Sequence, residues 1–136
     1  MVDTFVRHMK GAKEKYVYAM GIGYSMVAID YISRKCVRDG YRLLYTESLG
    51  ELSEFEDNVG IMVSESGETQ LVIDEAEKCR QHGYFTIAFL RNENSRLRKM
   101  VDLPIIIPKE EWEDELQINT FVSNTIIAFQ LLFSQL

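Results

Sequence analysis

Five short, mostly apolar runs, three of them stopped by glycine, serine or proline, constrain this chain more than any other feature. They are Tyr16–Met20, Tyr41–Tyr45, Val59–Val63, Tyr84–Leu90 and Leu103–Ile107. Runs this short and apolar at both parities read as strands covered on both faces. Helical spacing fills the gaps between them. Ala28, Tyr31, Ile32 and Cys36 recur at i, i+3, i+4 and i+8 before Asp39-Gly40, and Val72, Ala76 and Cys79 share a face before Gly83. Glycine just past such a pattern ends a helix. Strands alternating with helices over short connections predict an α/β chain, a parallel sheet between two helical layers. Pro104 suits an edge strand, where a missing N–H does no harm. Thr46–Asn58 reads as an acidic loop or short helix, Ser95–Met100 as a short basic helix, and Glu110–Leu136 as one long helix.

A length of 136 residues suits one domain, 1–136, with a helical lead over 1–15 and a core over 16–136. Fifteen Lys and Arg against 21 Asp and Glu give −6, which argues against direct binding of nucleic acid through a basic footprint. No apolar run reaches membrane-spanning length and the first fifteen residues lack a signal peptide's apolar centre, so a cytoplasmic location is expected and no membrane partner. Cys36 and Cys79 read as small buried apolar residues, not as a disulfide or a metal pair. No metal and no cofactor are expected.

The final helix is apolar nearly all round, with Ile118, Phe121, Val122, Ile126, Ile127, Phe129, Leu131, Leu132 and Phe133. Such a helix needs more than one surface to bury against, which predicts a second subunit on it.

Two strand-to-helix loops carry the chemistry. The first holds Gly21, Gly23 and Ser25; the second is Ser64-Glu65-Ser66-Gly67-Glu68-Thr69. In an open parallel sheet, ligands lie beyond the carboxyl ends of the strands. Glycine lets the backbone approach an anion, hydroxyls donate to it, and a helix start offers free N–H groups. A chain of net negative charge can hold a phosphate that way. The alternative for Ser64, Ser66 and Thr69 is helix capping. The first loop is no dinucleotide fingerprint, since Met26 stands where a third glycine would, and neither loop is a P-loop.

Gly21-Ile22-Gly23-Tyr24-Ser25 together with Ser64–Thr69 resembles the SIS (sugar isomerase) domain, a phosphosugar-binding module whose phosphate loop reads S-x-S-G-E-T. Asn94-Ser95-Arg96-Leu97, Val101-Asp102 and the run after them are similar to a further segment of that family. The resemblance implies a flavodoxin-like, three-layer αβα fold with strand order 2-1-3-4-5. It implies that Ser64, Ser66 and Thr69 hold a sugar phosphate, Glu65 mainly through its backbone, and Gly67 by close approach. Gly21, Gly23 and Ser25 would line the sugar end, and homodimers or tetramers would be expected.

Isomerases of this family commonly pair a Glu with a His. The histidines here are His8, in the lead, and His82, at a helix end away from the loops. Glu47, Glu51 and Glu54 follow the second run on the ligand side. Glu51, Glu47 and His8, the last reaching a neighbouring subunit, are the catalytic candidates. The Gly21-x-Gly23-x-Ser25-x-x-Ala28 pattern is also similar to the sugar-sensing domain of RpiR/MurR-type regulators. About fifteen residues precede the first strand, too few for their helix-turn-helix. Binding or sensing of a sugar phosphate is therefore expected ahead of aldose–ketose isomerisation.

Overall fold

A computed structural model describes residues 1–44 and 58–136. The chain opens with α1 (Val2–Gly11) and a 3-10 turn (Ala12–Glu14), then β1 (Tyr16–Met20), α2 (Ser25–Arg38), β2 (Arg42–Leu43) and β3 (Val59–Val63). After these come α3 (Gln70–Gln81), β4 (Phe85–Leu90), α4 (Arg96–Met100), β5 (Leu103–Ile106), α5 (Glu113–Leu116) and α6 (Phe121–Phe133). The strands form one sheet in the order β2-β1-β3-β4-β5, and all its pairings are parallel. This is the order that the sequence resemblance implies.

Alternation along the central strands divides the core in two. Val59, Ile61 and Val63 of β3, with Ile87 and Phe89 of β4, pack against α1, α2 and α6. Met62, Ala88 and Leu90 face α3 and α4 and meet Val72, Ala76, Cys79 and Leu97. Residues one apart on a strand point to opposite faces, so two helical layers sandwich the sheet. Pro104 lies on β5, whose one sheet neighbour among the described residues is β4. Cys36 and Cys79 are both buried, and burial pushes each thiol up to about 12, which keeps them protonated and inert.

Two expectations need correction. The helical lead does not stand apart from a core that begins at 16, because Phe5 and Met9, one turn apart, are fully buried in the same core as α6. The region 110–136 is not one helix. Gln117 takes a left-handed conformation (φ 55) that ends α5, and the Phe121 N–H then donates to Asn119 Oδ1 at 2.8 Å as α6 begins. Ile118 therefore sits outside the final helix and is half exposed. Residues 45–57, including Glu47, Glu51 and Glu54, lie outside the described residues. Among the described residues no helix is long and apolar enough to cross a membrane.

Candidate functional site

The carboxyl ends of β1, β3 and β4 lie side by side, so whatever follows each strand opens onto the same edge of the sheet. After β1 the chain turns into α2 through Gly21 and Gly23. A Cβ at Gly21 would lie 2.9 Å from Ile29 Cγ1 and 3.2 Å from the Val63 carbonyl oxygen, so glycine lets this loop run close against β3. Beyond it Tyr24 is 89% exposed.

The loop after β3 is held from several sides. The Ser64 N–H donates to the Phe89 carbonyl at 3.1 Å, and the Glu65 carbonyl accepts from the N–H groups of Arg91 and Asn92 at 3.0 and 3.2 Å. Ser64 Oγ accepts from the Gly67 N–H at 3.2 Å and lies 3.2 Å from Thr69 Oγ1, while Ser66 Oγ accepts from the Glu68 N–H at 3.1 Å. Gly67 has φ 65, and a Cβ there would fall 2.1 Å from Ser95 Oγ. Ser95 is fully buried and caps α4 by accepting from the Arg98 N–H at 3.2 Å. Thus Ser95–Leu97 form the floor under the loop.

Thr69 occupies the N-cap position of α3 but makes no side-chain cap hydrogen bond; its hydroxyl turns to Ser64 instead. Capping is therefore not how this threonine is used. Among the described residues, the first turn of α3 keeps N–H groups without a side-chain acceptor, at the positive end of a twelve-residue helix.

Between the two loops lies a cleft of about 900 Å³. Ile22, Tyr24, Ser25 and Val27 line it from the first loop, and Ser64, Glu65, Ser66 and Thr69 from the second. Arg91 and Asn92 follow β4, and Lys109, Asn119, Phe121 and Val122 complete the wall. Of the residues expected from sequence, Ser25, Ser64, Glu65, Ser66 and Thr69 are thus brought together. Gly21, Gly23 and Gly67 shape the backbone around them. His8 is elsewhere in its own chain. Its ring stacks on Phe85 at 3.5 Å and 3°, at the amino end of β4, opposite the cleft.

One buried charge network was not anticipated. Arg91 Nη1 donates to Glu113 Oε1 at 3.1 Å and Glu65 Oε2 at 3.4 Å. Its Nη2 reaches Glu113 Oε2, the Pro108 carbonyl and Thr120 Oγ1, each at 3.4 Å, and its Nε reaches the Ile107 carbonyl at 3.2 Å. Asn119 Nδ2 donates to both Glu65 oxygens, at 2.9 and 3.2 Å. Burial would raise the Glu113 carboxyl, yet it lies at about 2, because N–H groups of Thr120 and Glu110, the Thr120 side chain and Arg91 all favour its ionised form. The sequence signal for Arg91 is its place immediately after a strand, equivalent to Gly21 and Ser64. Glu65, expected to act through its backbone, also engages its carboxylate.

No family model matches the chain. An uncharacterized HTH-type transcriptional regulator of Clostridium perfringens is 28% identical over 102 residues, covering 71% of this chain and 37% of the regulator. The chain thus spans little more than a third of that curated relative. Among solved structures, the Vibrio vulnificus NanR protein complexed with ManNAc-6P superposes with a TM-score of 0.78 at 18% identity, over 98% of this chain and 52% of that one. The sugar isomerase domain of an RpiR transcription factor from Sphaerobacter thermophilus gives a TM-score of 0.77 at 17% identity, over 98% and 75%. With the same strand order, the two loops in place and superposition over almost its whole length, this chain has the fold of the sugar isomerase domain.

Proposed function

We propose that this chain is a phosphosugar-binding domain that holds or senses a sugar phosphate. The observation that carries the reading is the loop Ser64–Thr69: Ser64, Ser66 and Thr69 line one cleft, the last of them at the N-cap position of α3, where no side-chain cap is made. A phosphate there gains N–H donors and the helix dipole without needing a net basic surface. Gly67 brings the backbone close, and Gly21, Gly23 and Ser25 border the end where the sugar lies. The NanR protein of comparable fold is complexed with ManNAc-6P, and the curated relative is an HTH-type regulator, which favours sensing.

Turnover as an aldose–ketose isomerase requires a base to move a proton between adjacent carbons. The described lining of the cleft contains no histidine, and its carboxylate, Glu65, is already bound by Arg91 and Asn119. Glu51, Glu47 or His8 of a second copy would have to supply that base. A second copy suits the molecule, since Ile127 and Leu131 of α6 are 51% and 64% exposed and Tyr24 and Val27 project beside the cleft. We place this one-domain chain in the cytoplasm as a homodimer or tetramer through α6.

A thermal-shift panel of pentose and hexose phosphates tests the reading, followed by a search for product. Stabilisation without turnover is the expected result. Product formation that vanishes in Glu51→Gln or His8→Ala would establish the isomerase, and a folded protein stabilised by no phosphosugar would refute both.

A further inference from the structure

We propose that Lys109 is the cation of the cleft that engages the ligand's phosphate, giving up Asp114 for it as the ligand enters. This rests on the phosphosugar reading and adds to it a binding residue on the segment after β5.

Two cations line the described cleft, Arg91 and Lys109, and they are held in opposite ways. The Arg91 side chain is 12% exposed, and its Nε, Nη1 and Nη2 donate to oxygens of Ile107, Pro108, Glu65, Glu113 and Thr120. A guanidinium has five N–H donors in a rigid fork, and those contacts occupy them. Arg91 therefore braces the wall of the cleft and has no donor left for a ligand.

Lys109 is the reverse. Its side chain is 48% exposed, that of Asp114 is 83% exposed, and the two pair at 2.6 Å. An ion pair so open to water is screened and contributes little, so the ammonium leaves it at small cost. An ammonium also carries three donors on a flexible stem, and one carboxylate does not use them all.

The backbone beneath that flexible stem is fixed, and it is fixed to the same side chain as the phosphate loop. The carbonyls of Ile107 and Pro108 accept from Arg91 at 3.2 and 3.4 Å, and just beyond Lys109 the Glu110 N–H donates to Glu113. The same guanidinium donates to the Glu65 carboxylate at 3.4 Å, and the Arg91 N–H donates to the Glu65 carbonyl at 3.0 Å. Pro108 and Glu65 are thus bridged by one residue, and Lys109 directly follows Pro108. It lines the same cleft as Ser64, Ser66 and Thr69. A compact charge on an adaptable stem suits a phosphate, which needs no fixed angle of approach from it. The hydroxyls and N–H groups of the loop fix where the phosphate sits, and Lys109 supplies the charge that opposes it.

A double-mutant cycle read by calorimetric titration, with glucose 6-phosphate and separately with inorganic phosphate, tests this. Lys109→Gln should weaken glucose 6-phosphate about tenfold. Asp114→Asn should tighten it about threefold by releasing the ammonium. Deleting a negative charge near any anion also helps slightly, so the variant carrying both substitutions decides. In it the gain should vanish, leaving the affinity of Lys109→Gln alone. Inorganic phosphate should follow the same order, which places the contact on the phosphate and not on the sugar. The pair is exposed, so every variant should melt cooperatively near the wild-type temperature. Unchanged affinity in Lys109→Gln, a gain from Asp114→Asn that survives without Lys109, or an effect on the sugar phosphate that inorganic phosphate does not share overturns the inference. Each of these leaves the phosphosugar reading standing. Failure of both probes to bind the folded wild type overturns both.

Discussion

The loops after β1 and β3 occupy equivalent places in the fold and carry similar residues, yet they are built to opposite standards. At Gly23 (φ 61) a Cβ would meet nothing within 4 Å, and the neighbouring Tyr24 lies almost wholly in solvent. At Gly67 (φ 65) a Cβ would collide with Ser95, and hydrogen bonds to Phe89, Arg91, Asn92 and Leu97 fasten the surrounding loop. Both glycines supply the left-handed backbone of a turn, but the second also keeps open a contact that no side chain could share. The first loop is an adaptable, apolar lip; the second is a rigid cup whose donors are set in place before any ligand arrives. Preorganised donors lose little entropy on binding, which suits the cup rather than the lip to the anion.

This contrast can be broken or sharpened by substitution. Gly67→Ala combines backbone strain with overpacking against Ser95 and should cost about 2–5 kcal/mol in denaturant unfolding. A cost below that of Gly23→Ala would remove the distinction between the loops. Ser66→Ala with Thr69→Ala should weaken phosphosugar binding by about 1–3 kcal/mol in calorimetric titration, while Ser25→Ala on the lip should weaken it less.

Acid should act on the cup through Glu113. Its carboxyl titrates at about 2 in the folded chain against an ordinary value of 4.5, so the unfolded chain binds the proton more readily. The stabilisation is complete above about 4.5 and disappears as pH falls from there toward 2. Melting temperatures measured across that window should decline less steeply in Glu113→Gln than in the wild type. Gly23→Ala has the smallest expected effect, about 1 kcal/mol of unfolding free energy from φ alone.

Local pattern made the frame legible. Five apolar runs and the glycines after the helical stretches located the strands and α2 and α3 to within a residue or two. Strand order came from the resemblance of the two loops and the segment after β4, and the sheet matches it. The i, i+4 pair Phe5 and Met9 was visible in the lead, but its burial depends on α6, more than a hundred residues further along. The same distance problem hid the rest of the site. Gly67 looks like any turn glycine until Ser95 is placed beneath it, 28 residues on. Arg91 and Glu113 are 22 residues apart, and neither side chain alone announces a partner. The break at Gln117 escaped because the region 110–136 contains neither glycine nor proline to mark it; the left-handed turn is made by a glutamine. Periodicity reports which face of an element is buried, and it is silent about which polar groups meet across the fold.

The most direct measurement is a backbone amide NMR titration of the chain with glucose 6-phosphate. The account predicts that the largest shifts fall on the N–H groups from Ser66 through the first turn of α3, with smaller ones at Gly23–Ser25. Saturable shifts confined to the β1 loop or lying outside the cleft, with 66–72 unmoved, would contradict it.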